Sequence, residues 1–412
     1  MQRLPMTRMT RRDFPVKIHA GVNGRSAAVG AGVLALAMAG LTACGSDNNS
    51  SSSSSSGGSS SSTSAAAGGS TSASGTSSSS AASGTITCAK GTLSGQGSTA
   101  QNTAIVKFIK DFQTQCGNDT NVSYNGTGSG PGVTAFIQKQ ADFAGSDYPL
   151  SSAQQPQADA RCTSGKALSV ATVPGIISVM YNIPGVTKLN LSASNLGKIF
   201  NGKITKWNDP AIAADNAGVT LPALAIQTFH RSDASGTSFN FSNYLNKTAP
   251  TDFPAAANKQ WPGTGGQSAQ GSKGVAQSVK TTSGAIGYAE VSYATSSQLN
   301  TAVIGNAAGK FVPLTPANAS NFISKAKVDT TGGNYLFNFD YTYSADDAYP
   351  AVLVTYEIVC SAGNDSAKLP LLKNFLAYTA GSGAQSQLEG LGYVALASDQ
   401  QSAVAQIFNG LS

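Results

Sequence analysis

Charge is scarce in this 412-residue chain, where Asp, Glu, Lys and Arg make up only 11 % of residues beside two histidines and two tryptophans. One histidine, His19, lies in the N-terminal segment, leaving His230 alone for the rest, too little for a histidine-based metal cluster. No two cysteines are close enough for Cys-x-x-Cys redox or zinc spacing. We therefore expect no metal and no cofactor. No internal repeat is visible, and the longest apolar run, about 16 residues ending at Ala43, is short for a transmembrane helix. The formal charge of +6 and a pI near 9 suggest a polyanion partner, but the excess is local. Arg3, Arg8, Arg11, Arg12, Lys17 and Arg25 stand against Asp13 alone in residues 1–43. The remainder is nearly neutral and has no basic, aromatic-interleaved patch, so a nucleic-acid partner is excluded.

What is present begins with that leader. A basic segment, an apolar run and the ending Leu41-Thr-Ala-Cys44 make 1–43 a signal peptide, and the ending resembles the lipobox of bacterial lipoproteins. That likeness implies lipid attachment at Cys44, where two acyl chains would give stable anchoring to the outer face of the cell membrane. Thr10-Arg-Arg-Asp-Phe14 faintly resembles a twin-arginine signal, so both export routes stay open. Residues 44–87 form a Ser- and Gly-rich linker with Asp47 its lone charge up to about Gly84. Such a composition buries too little surface to offset its ordering entropy, and about 40 flexible residues reach roughly 35 Å.

Four further cysteines, Cys88, Cys116, Cys162 and Cys360, suggest two disulfides in an exported protein, with three connectivities open. We favour Cys88–Cys116, which brackets one strand–helix unit, and Cys162–Cys360. From residue 88 onward short apolar runs alternate with helical patterns, an α/β signature. Ala100, Ala104, Ile105, Phe108, Ile109 and Phe112 predict a helix after Ser98. A second opens at Ser129, with Pro131 in its first turn and Val133, Phe136, Ile137 and Ala141 on one side. A third opens at Ser235, after a strand over Leu224–Phe229, and presents Phe241, Tyr244 and Leu245.

These helix starts share a chemistry. Gly95-Gln-Gly-Ser-Thr99, Gly126-Thr-Gly-Ser-Gly-Pro-Gly132 and Ser232-Asp-Ala-Ser-Gly-Thr237 put glycine and small hydroxyls where backbone N–H groups lack partners. One such loop is an ordinary N-cap. Three of them, with Arg231 immediately before one, point to a small anion held among helix ends.

Taken in order, Thr99, Gly128-Ser-Gly-Pro-Gly132, Asp142-Phe-Ala-Gly-Ser-Asp147 and Arg231-Ser-Asp-Ala-Ser-Gly-Thr-Ser-Phe239 resemble the PstS-type phosphate-binding proteins of ABC importers. So do Leu196–Pro210, Ser283–Glu290 and Gly392-Tyr393, and the likeness runs from about 90 to 410. It implies a two-lobed periplasmic-binding-protein fold of type II with the ligand in the cleft between lobes. It also implies inorganic phosphate held by Thr99, the Ala100 amide, Ser129, Asp147, Arg231, Ser235, Gly236 and Thr237, with Asp233 pairing to Arg231. Importer permease and ATPase subunits would be the partners. This chain departs from the commoner pattern at Ala100 (an aromatic elsewhere), Pro131 (a small residue) and Ala234 (a glycine). We expect a monomer, with 88–182 and 345–412 as lobe I and 183–344 as lobe II.

The residue set suits phosphate over sulfate. Near neutral pH phosphate keeps a proton and sulfate has none, and an ionised carboxylate such as Asp147 can only accept a hydrogen bond. Two rival readings compete with this one. A secreted phosphatase or hydrolase would need a metal cluster or an activated nucleophile, and His230 beside Arg231 is more often a packing residue. Gly197-Lys-Ile-Phe-Asn-Gly-Lys-Ile204 mimics a phosphate loop but has Ile where magnesium needs a hydroxyl. Trp207 and Trp261 fit packing better than a sugar platform. A receptor for another oxyanion such as sulfate is the second rival.

Overall fold

A computed structural model of the chain describes residues 86–412. The signal segment 1–43, Cys44 and nearly all of the linker 44–87 lie outside the described residues. From Gly91 on, strands and helices alternate, giving the α/β class expected.

The first helix, Asn102–Cys116, buries Ala104, Ile105, Phe108, Ile109 and Phe112, the stripe that its sequence period marks. It packs on the helix Leu369–Ala380, with Phe112 and Phe375 edge to face at 5.4 Å. The Ser129 helix is shorter than predicted. It stops at Ile137, and Lys139 takes φ 60°, so Ala141 is buried beyond the helix rather than on its side. The strand before the third helix also shifts, from Leu224–Phe229 to Gln227–Arg231. Leu224 and Ile226 are instead bonded to the segment before them, through Trp207 N to Leu224 O and Ile226 N to Thr205 O, both 2.9 Å. That shift places Arg231 at the strand's end, and Gly236–Thr248 follows as the helix, capped by Ser235.

Eight strands run side by side, with the long strand Ala167–Asn182 fifth in order. Gly91–Gly97, Thr120–Gly126 and Phe143–Ser146 are parallel neighbours. Val352–Cys360 lies antiparallel between Phe143–Ser146 and the long strand. Ala285–Glu290 flanks the other end of the long strand, followed by Gln227–Arg231 and Gln267–Ala269. The long strand thus pairs with Val352–Cys360 up to Ile176 and with Ala285–Glu290 from Ile177. It is buried along all but its last residue, so it reads as a continuous apolar run rather than an alternating one. Near the changeover its register shifts at Thr355/Tyr356. Pro174, which has no N–H to give a ladder, sits one pair away from that shift.

Both favoured disulfides form, Cys88–Cys116 and Cys162–Cys360. They span 28 and 198 residues, and the stabilisation by chain entropy grows with loop length. Replacing Cys162 and Cys360 together by serine should cost about 5 kcal/mol, against about 3.5 kcal/mol for the shorter loop. Denaturant unfolding of the two double variants checks this order.

Candidate functional site

Every residue of the expected anion set from 99 to 237 converges on one buried locus, where four helix starts and three strand ends meet. Asp147 follows the strand Phe143–Ser146 and is only 3 % exposed. Its Oδ1 accepts from Thr355 Oγ1 at 2.8 Å and from Ser98 Oγ. Oδ2 accepts from Ser129 Oγ alone, at 3.1 Å, and keeps a free acceptor position. A Cβ added at Gly236 would lie 2.7 Å from this Oδ2 and 2.8 Å from Ser129 Oγ, so only glycine lets this helix start come so close. Gly236 N–H itself donates to Ser129 Oγ at 3.2 Å.

Arg231 is 2 % exposed. Its Nε donates to Asp233 Oδ1 at 2.8 Å, and Nη2 pairs with Oδ2. The remaining nitrogen, Nη1, reaches Ser272 Oγ at 3.1 Å and Thr237 Oγ1 at 3.3 Å. Asp233 thereby holds one edge of the fork, as expected, and leaves the other on hydroxyls that a ligand oxygen can replace. Asp233 Oδ1 also accepts from Gly271 N–H at 3.1 Å. Thr99 Oγ1 lies 3.0 Å from Ser272 Oγ. Thr237 gives its hydroxyl proton to Glu290 Oε1 at 2.7 Å, and Ser235 Oγ caps its own helix by accepting from Ser238 N–H at 3.2 Å. The Ala100 amide donates to Ser98 Oγ at 3.0 Å.

Four residues of this locus had no role in the expected set. Ser98 stood inside the Gly95–Thr99 loop, and Ser272 opens the helix Gly271–Thr281 with the same small-residue chemistry as the other three starts. Glu290 lay in the Ser283–Glu290 segment. Thr355 sits in an apolar strand and carries no local signal. His230 is a packing residue, its ring stacked on Trp261 at 5.7 Å and its Nδ1 3.0 Å from Arg231 O. Gly197 is buried in the helix Ala193–Phe200, so the phosphate-loop mimic is no loop there. Trp207 is fully buried, with Nε1 donating to Gly284 O at 3.0 Å.

The electrostatics are unusual for an anion site. Asp147, Glu290 and Glu357 are all buried, and the guanidinium of Arg231 is already paired to Asp233. Burial is the main reason the Asp147 carboxyl is pushed up to about 6, with the charge of Glu290 adding; hydrogen bonds from Ser98, Thr355 and Ser129 pull it back. Glu357, in the strand next to Asp147, is pushed up to about 7, again chiefly by burial. The neighbouring Gln101 amide opposes this rise and the Asp147 charge adds to it.

A carboxyl whose folded pKa lies above its unfolded value makes the fold most stable when protonated. Stability of the anion-free protein should therefore be full below about pH 4.5 and fall as pH rises toward about 7. Glu357→Gln should flatten that slope and add up to about 3 kcal/mol at pH 8. Thermal melts at pH 5 and pH 8 in phosphate-free buffer test this, and an unchanged slope in the variant would remove Glu357 as its source.

A buried cluster of neutral donors, one forked cation and one free carboxylate position suits a small, partly protonated oxyanion. Fold and site together define a two-lobed solute receptor. A model described as the PBP superfamily domain matches residues 60–383. Phosphate-binding protein PstS 3 of Mycobacterium leprae is 36 % identical over 376 residues, covering 90 % of this chain and 95 % of that protein. Phosphate-binding protein PstS 2 of Mycobacterium tuberculosis is 37 % identical over 350 residues, 84 % of this chain and 94 % of that one. The phosphate-bound structure of the periplasmic phosphate-binding protein PfluDING superposes with a TM-score of 0.64 at 20 % identity, over 77 % of this chain and 93 % of its own. A phosphate-binding protein from Stenotrophomonas maltophilia gives 0.59 at 19 % identity, over 77 % and 93 %; at such identities the two structures speak for the fold alone. The chain belongs to the PBP superfamily and, within it, to the PstS phosphate-binding proteins.

Proposed function

We propose that this chain is an extracytoplasmic receptor that binds inorganic phosphate and delivers it to an ABC-type importer, without catalysing a reaction itself. One observation carries the choice of ligand: Asp147 is buried and keeps a free acceptor position on Oδ2, facing the Gly236 helix start. Hydrogen phosphate can donate its O–H to that position. Sulfate would set a bare oxygen against it, and an unpaired buried charge costs several kcal/mol. The ligand set is Thr99, the Ala100 amide, Ser129, Asp147, Arg231, Ser235, Gly236 and Thr237. Lobe I comprises 88–182 and 345–412 and lobe II 183–344, so the set is divided between lobes that close on the anion by a hinge.

The protein acts as a monomer tethered by lipidated Cys44 and the linker after it, with the importer's permease and ATPase subunits as partners. The named relatives support the ligand and the route. Calorimetry on the purified protein tests the ligand: tight phosphate binding that excess sulfate does not displace is expected. A preference for sulfate, or hydrolysis of a generic phosphate ester lost with Ser235→Ala, would sink the proposal. Mass analysis of the membrane-extracted protein tests the diacylated Cys44.

A further inference from the structure

Two side chains outside the ligand set, one buried and one half-buried, reach across the cleft to the backbone of residues within it. Asn240, one turn into the helix Gly236–Thr248, is 5 % exposed. Its Nδ2 donates to Asp147 O at 2.7 Å and to Gly236 O at 2.9 Å, tying together two ligand residues that belong to different lobes. Tyr293, in the helix Val291–Ser297, donates its hydroxyl to Thr99 O at 2.8 Å. The Asp147 and Thr99 carbonyls belong to lobe I, and both donors belong to lobe II.

The chemistry of these contacts differs from that of the site itself. An oxyanion takes N–H and O–H donors, whereas Asn240 and Tyr293 spend theirs on carbonyl oxygens, which the ligand cannot use as donors. The bonds to Asp147 O and Thr99 O exist only while the lobes are together. A separated pair leaves the two carbonyls and the two donors to water. We propose that Asn240 and Tyr293 form a ligand-independent latch on the closed state, which sets how long a bound anion is retained without helping to choose it. A contact made only in one of two states shifts the equilibrium between them, and the affinity of a ligand that needs that state moves by the same factor. Bound phosphate and bound sulfate share the closed form, so their affinity ratio is untouched. The rim contact of Lys259, 4.3 Å above the Tyr148 ring, is half exposed and contributes less.

The latch rests on the phosphate-receptor reading and its lobe division, and two kinds of measurement separate their failures. In the full-length protein, Tyr293→Phe and Asn240→Leu should each speed phosphate release in stopped-flow by about tenfold, the loss of one cross-lobe hydrogen bond. Association should change by less than about twofold, since most affinity changes within one interface lie in dissociation. The ratio of phosphate to sulfate affinity, from calorimetric competition, should stay as in the parent. X-ray scattering without any anion should show both variants more expanded than the parent. Unchanged release in both variants, or a collapse of the ratio along with affinity, overturns the latch. If the parent binds no phosphate, the functional reading fails alone, and scattering still decides: equal dimensions for parent and variants would end the latch as well.

Discussion

Arg231→Ala is expected to abolish phosphate binding in calorimetry, with a loss of at least about 3–5 kcal/mol, or two to nearly four orders of magnitude in Kd. Two consequences follow from its surroundings. The ligand loses the one cationic fork, whose Nη1 edge rests only on Ser272 and Thr237 at 3.1 and 3.3 Å. Asp233 loses its partner while remaining buried at 9 % exposure, and breaking a buried pair from one side costs about 3–5 kcal/mol of stability. The single variant therefore also melts earlier. Adding Asp233→Asn removes the orphaned charge and should recover much of the stability, but no binding. Arg231→Lys keeps the charge and loses the fork, so it should rescue little. Retained binding in the stable double variant would show that the guanidinium is no ligand.

The second large effect concerns selectivity. Asp147→Asn should weaken phosphate binding by about tenfold to a hundredfold, the range for a lost hydrogen bond to a charged group. It should also admit sulfate, because the amide can turn a donor toward a bare oxygen. The parent protein should show the same change with pH. Above about 6 the Asp147 carboxyl is ionised and accepts only; below it the carboxyl gains a proton and becomes a donor. Sulfate competition is therefore expected to be negligible at pH 8 and to grow as pH falls toward 5. In the Asn variant competition should be present throughout and nearly independent of pH. Discrimination that persists unaltered in the variant would place selectivity elsewhere in the site.

The legible parts of the molecule were those specified by near neighbours in the chain. The stripe from Ala104 to Phe112 announces its helix because a 3.6-residue period can bury only one face. Ser235 announces a cap because the first amides of a helix need an acceptor. The lengths of the Ser129 helix and of the strand before Arg231 were misjudged, since Lys139 and the bonds to Thr205 and Trp207 are not written in the apolar pattern. Ser98 and Glu290 lay in segments that the sequence marks without giving those residues a role, and the Gly271-Ser272 helix start was not marked. Thr355 had no signal at all.

Composition and local pattern alone determined an α/β body and several helix starts fit for an anion. Those features depend on hydropathy, charge and spacing within a few residues. Tertiary structure decided which hydroxyls meet Asp147 and that Oδ2 keeps a free position. It also decided that Ser272 shares Arg231 and that Asn240 and Tyr293 reach the carbonyls of Asp147 and Thr99. Each of these joins residues far apart in the chain, 208 positions for Thr355 and Asp147 and 194 for Tyr293 and Thr99. Only the pairing of strands and the packing of helices sets such distances, and no local pattern encodes them.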